Sequence, residues 1–126
     1  MSDARPERWI VVLAHGSADP RWRSPFEQLC AELAARTEAG VALAYLQFVE
    51  PTLEQVLGRV VRAGGRRAVV VPAFMSGGGH LLRDVQQTVA AAAASSGIDV
   101  RLTGALGEER ELRIAMVEAM LRLGGG

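Results

Sequence analysis

Ala68-Val69-Val70-Val71-Pro72-Ala73-Phe74 is an unbroken apolar run, set between Gly64-Gly65 and Gly77-Gly78-Gly79. A strand that is apolar on both faces is buried on both, as at the centre of a parallel sheet, so Arg67–Pro72 is predicted as a central strand. Working outward, Trp9–Ala14 and Val41–Phe48 read as two more strands. Ile98–Thr103 is shorter and carries Asp99 and Arg101, which suits an edge. Helical spacing fills the intervals: Phe26, Leu29, Cys30 and Leu33 follow Ser24-Pro25 and stop before Gly40, and Leu53, Val56, Leu57, Val60 and Val61 run from Pro51-Thr52 to Gly64-Gly65. A third helix is expected from about Leu81 through the alanine tract to Ser95-Ser96 and Gly97. A fourth runs from Glu108 to Leu123, with Leu112, Ala115, Met116, Ala119, Met120 and Leu123 facing a core. Strand alternating with helix predicts an α/β three-layer sandwich on a four-stranded parallel sheet. Right-handed crossovers allow the order 2-1-3-4, with a switch point between the first and third strands.

The 126 residues, 49% of them apolar, fit one domain over 1–126, with residues 1–7 and 124–126 as flexible ends. Fourteen basic residues, all arginine, balance fourteen acidic ones. That balance gives no bulk electrostatic case for nucleic acid or an anionic membrane. The lone Cys30 cannot form an internal disulfide and sits on an apolar helical stripe as core filler. No stretch has the length of a signal or a membrane span, so a cytoplasmic protein is expected.

The only histidines, His15 and His80, follow the first and third strands. Such sheets bind ligands at their carboxyl edge, and two imidazoles converging there point to a metal. A loop histidine bonded to backbone is the plainer alternative for His15. Gly77-Gly78-Gly79 before His80 lets backbone approach a ligand and present N–H groups to an anion, although a merely flexible loop has the same composition. The chain has no lysine, which excludes a P-loop, and no G-x-G-x-x-G. Gln47 shares a strand face with Val41, Leu43 and Tyr45 and is expected at the same edge, with Glu50 just beyond as either a site residue or a helix N-terminal acid. Arg21, Arg23 and Arg83 could bind carboxylates or stand solvated, and Asp84 could orient a histidine or simply favour its helix start. Ser17 has no acid–base partner beyond His15, which makes a serine hydrolase a poor reading.

Taken together, His15-Gly16-Ser17, Tyr45-Leu46-Gln47 with Glu50-Pro51-Thr52, and Pro72-Ala73-Phe74 through Gly79-His80 to Arg83-Asp84 resemble the small class II tetrapyrrole chelatases of the CbiX and SirB type. The resemblance covers about residues 8 to 90. It implies a flavodoxin-like or chelatase-like fold, a homodimer, and insertion of cobalt, iron or nickel into sirohydrochlorin or a relative. No permanently bound cofactor is implied; the divalent metal is a substrate. His15 would be metal ligand and proton acceptor, and His80 a metal ligand. Glu50, Ser17 and the segment Met75, Ser76, Gly77, Gly78, Gly79 and His80 would contact the tetrapyrrole.

Metallation removes two protons from pyrrole nitrogens while a hydrated cation sheds water. An imidazole, titrating ordinarily near about 6.5, can bind the cation and accept a proton. Nitrogen ligands suit cobalt, iron and nickel. The chain departs from the family at Gln47, where typical members carry glutamate. An amide oxygen can join the metal ligands but brings no charge and no base. A smaller departure is Asp84-Val85-Gln86, where proline is usual. The runner-up reading is a non-catalytic metal- or tetrapyrrole-binding protein, and a third is an interaction domain with incidental histidines.

Overall fold

The computed structural model describes residues 5–76 and 80–125, with only the main chain of His80 and Leu81. Its elements are β1 (Arg8–Ala14), α1 (Ser24–Ala34), β2 (Gly40–Tyr45), α2 (Leu53–Arg62), β3 (Arg67–Pro72), α3 (His80–Ser96), β4 (Asp99–Leu102) and α4 (Arg110–Leu123). One-turn 3₁₀ segments, Pro20–Trp22 and Leu106–Glu108, precede α1 and α4. All four strands are parallel in the order β2-β1-β3-β4, with Ala14 opposite Tyr45 and Leu13 opposite Pro72. The expected order is therefore the observed one, and the switch point lies between β1 and β3.

The core lies on one face of the sheet. Val11 and Leu13 of β1, Ala44 of β2, and Ala68 and Val70 of β3 pack against Leu53, Val56, Leu57 and Val60 of α2 and Val85 and Val89 of α3. Burying one such side chain contributes about 1.5–3 kcal/mol, so these carry most of the fold's stability. Both ends of α2 are set by local chemistry. The Thr52 hydroxyl accepts from the Gln55 N–H (3.2 Å) while the Gln55 side chain accepts from the Thr52 N–H (2.8 Å), a reciprocal capping box. At the other end Gly64, at φ 90°, donates to Val61 and Gly65 donates to Val60, closing the last turn in the left-handed conformation that glycine adopts at no steric cost.

The opposite face differs from expectation. No residue of α1 is buried, and Cys30 is only half-buried on it. Nor is any residue of α4, so its methionines are not core: Ile114, Val117, Met120, Leu121 and Leu123 are exposed, and the helix packs mainly on the 3₁₀ turn before it. Val69 and Val71 on that face of β3 stay half-exposed. Helical periodicity identifies an apolar stripe, but not what covers it. β2 ends at Tyr45, three residues before Phe48, because the chain folds back: Tyr45 N–H donates to the Pro51 carbonyl (2.9 Å), and Phe48 takes φ 72°.

A candidate metal and tetrapyrrole site at the carboxyl edge

β1 leaves the sheet between two neighbours that hold its end. Ala73 N–H donates to the Leu13 carbonyl (2.8 Å), Leu46 N–H to Ala14 (2.9 Å) and Gln47 N–H to His15 (3.1 Å). Gly16 then turns at φ 93°, and a β-carbon there would lie 2.0 Å from the Gln47 carbonyl oxygen, so no other residue fits without moving this junction. The His15 ring is exposed yet oriented, stacked on Phe74 with centroids 4.0 Å apart and planes at 29°. Phe74 is buried in the core, and its carbonyl accepts from Gly107 N–H (2.8 Å). A half-free imidazole on a fixed base can coordinate a cation or take a proton without first losing much side-chain freedom.

His80 is the first residue of α3, one position earlier than periodicity predicts for the helix. Since β3 lies beside β1, the main chain brings His80 and His15 to the same edge of adjacent strands. Gly77, Gly78 and Gly79 lie outside the described residues. Met75 and Ser76 are exposed on the approach to them. Gln47 is exposed too, but as a loop residue rather than the end of a strand face; its link to His15 runs through the main chain. Among the described residues no group of three or more His, Cys, Asp or Glu is arranged to hold a metal.

A cleft of about 330 Å³ opens beside His15, lined by Gly16, Ser17, Trp22, Arg23, Phe26 and Tyr45. Ser17 accepts from Asp19 N–H (3.1 Å), and Asp19 in turn caps the 3₁₀ segment and pairs with Arg21 (2.7 Å). The Arg21 hydrogen bonds hold the Asp19 carboxyl below its usual range. Arg21 is thus committed, whereas the Arg23 Nε is buried with no hydrogen-bond partner among the described residues. Tyr45 closes the floor; its burial, with the Glu27 carboxylate adding to it, pushes the phenol up. Glu50 accepts from the Gln55 side-chain amide (3.0 Å) beside the start of α2 and lines a neighbouring hollow with Arg23, Glu27 and Tyr45. Arg83 and Asp84 are exposed on α3. Sequence reasoning assigns no role to Phe74, Trp22 or Tyr45; the signal available is an aromatic residue next to each site segment.

A family model described as CbiX matches residues 9–123. The sirohydrochlorin cobaltochelatase of Methanococcus maripaludis is 29% identical over 77 residues, 60% of this chain and 54% of that protein. That of Saccharolobus islandicus is 28% identical over 104 residues, 82% and 70% of the two chains. The crystal structure of a CbiX protein from Marinobacter aquaeolei superposes with a TM-score of 0.83 at 32% identity, covering 91% of this chain and 95% of that one. The sirohydrochlorin chelatase SirB of Bacillus subtilis, solved in complex with cobalt, shares the fold at TM-score 0.79 and 23% identity, and this chain spans 50% of it. The chain thus matches about half the length of the Methanococcus and Bacillus proteins.

Proposed function

We propose, from the premise that this chain belongs to the CbiX family, that it inserts a divalent cation, cobalt first and iron or nickel next, into sirohydrochlorin or a close tetrapyrrole. The observation that carries the reading is His15: an exposed, stacked imidazole on the same sheet edge as the start of α3, where His80 stands. His15 and His80 hold the incoming cation, with the Gln47 amide oxygen as a neutral third ligand. As His15 releases the cation to the macrocycle it accepts one pyrrole proton, and the second passes to solvent water. Glu50, Ser17 and the stretch Met75–His80 contact the tetrapyrrole. Nitrogen-rich transient ligation suits these metals and releases them readily to four pyrrole nitrogens.

The test follows sirohydrochlorin absorbance with Co²⁺, Ni²⁺ or Fe²⁺. Wild-type protein should accelerate insertion, and His15→Ala should lose at least about a hundredfold, the usual contribution of a positioned base. Unchanged rates in both His15→Ala and His80→Ala would sink the proposal.

Gln47 favours a second reading, a binding protein without turnover. Gln47→Glu separates the two. A crippled catalyst gains insertion rate with the added charge, whereas a carrier gains only Co²⁺ affinity. We further propose a homodimer, supported by the apolar face of α4, which no described part of the same chain covers.

A further inference from the structure

We infer that the cleft beside His15 is a subsite for a carboxylate on a short apolar stem, with Arg23 as its anchor. The inference rests on the tetrapyrrole reading above and names what holds one arm of that substrate.

Three observations lead to it. The Arg23 Nε is buried in the wall of the cleft and has no acceptor among the described residues. A buried donor without a partner is costly, and a ligand acceptor would recover that cost. The carboxylates near it do not serve. Asp19 accepts from Arg21 through both oxygens, and Glu50 accepts from Gln55. Glu27 lines the neighbouring hollow that Arg23 also borders, yet it forms no ion pair with Arg23. Finally, the rings of Trp22, Phe26 and Tyr45 line the cleft beside Arg23, with His15, Gly16 and Ser17 completing it.

A guanidinium offers parallel N–H donors that match a carboxylate, and aromatic walls would accept the methylenes behind it. At about 330 Å³ the cleft is at the lower end of ligand pockets, with room for one arm of a macrocycle and not for the ring itself. Trp22, 65% exposed, stands at the rim where it can cover the arm once seated. Seating one acidic arm here would fix how the ring presents its nitrogens to His15. Arg23 is therefore a specificity residue rather than a catalytic one.

The experiment has two arms. In the first, propionate, a carboxylate on a two-carbon stem, is titrated into the full chain while the Arg23 Nε–H resonance is followed. The signal should move saturably, and propionamide, the same shape and uncharged, should leave it in place. No response to propionate overturns the subsite. In the second, sirohydrochlorin and its fully esterified form are bound to wild type, Arg23→Met and Arg23→Lys. The acid should bind about tenfold more weakly to Arg23→Met. The ester should not distinguish the variants, and Arg23→Lys should recover part of the loss. Equal affinity of the acid for all three overturns the assignment. If no tetrapyrrole binds wild type while propionate still moves the Arg23 signal, the insertion reading falls and the subsite stands.

Discussion

At the scale of single residues, the site depends on Gly16 as much as on His15. With φ 93° and the Gln47 carbonyl where a β-carbon would go, Gly16 is what lets the β1 and β2 ends meet and places His15 over Phe74. Gly16→Ala must either shift Gln47 or distort the turn, and should destabilise by more than about 1 kcal/mol. Denaturant midpoints check this, with loss of Co²⁺ binding expected alongside. Cys30 gives a pH signature. Burial pushes its thiol up, so the folded chain holds that proton harder than the unfolded one. The stability this contributes is intact below the ordinary thiol range near about 8.5 and drains as pH rises through it. As pH rises above the ordinary thiol range, the unfolding midpoint should therefore fall more steeply in wild type than in Cys30→Ala, and equal slopes would contradict it. His15 is legible in the sequence because a polar ring just past an apolar strand falls at the carboxyl edge, and the start of α3, where the His80 main chain stands, follows the adjacent strand β3. Arg23 is not, because three arginines near one edge look alike until Asp19 is seen to engage Arg21 while the Arg23 Nε has no hydrogen-bond partner among the described residues.

Elements follow sequence wherever the signal is local. The Thr52-x-x-Gln55 box and the Gly64-Gly65 stop both appear in the structure as hydrogen bonds of 2.8–3.2 Å. Thr52→Ala removes one half of the box and should cost about 1 kcal/mol, measured by thermal or denaturant unfolding. Because Gln55 also holds Glu50, that change should loosen the Glu50 loop as well, seen as faster amide exchange there. Strand alternation fails at Gln47 for a long-range reason. The Tyr45–Pro51 hydrogen bond ends β2 early, and periodicity cannot foresee a contact six residues on. Helix α4 shows the same gap in another form. Its apolar spacing is legible, whereas its burial depends on a surface outside the helix.

For the whole molecule, an uncovered apolar face makes the case for a partner copy. Ile114, Val117, Met120, Leu121 and Leu123 are exposed on α4, and Val69 and Val71 lie half-exposed on the sheet face that α1 leaves open. A second copy of this chain brings the same two surfaces and is the simplest complement, by two-fold symmetry. Wild type should therefore sediment as a dimer, with an unfolding temperature that falls on dilution because folding and association are linked. Leu121→Arg places a charge in the middle of the α4 face and should give a monomer whose unfolding temperature is lower and independent of concentration. A wild-type chain that stays monomeric at high concentration, with no dependence on dilution, would leave α4 without this partner and refute the dimer.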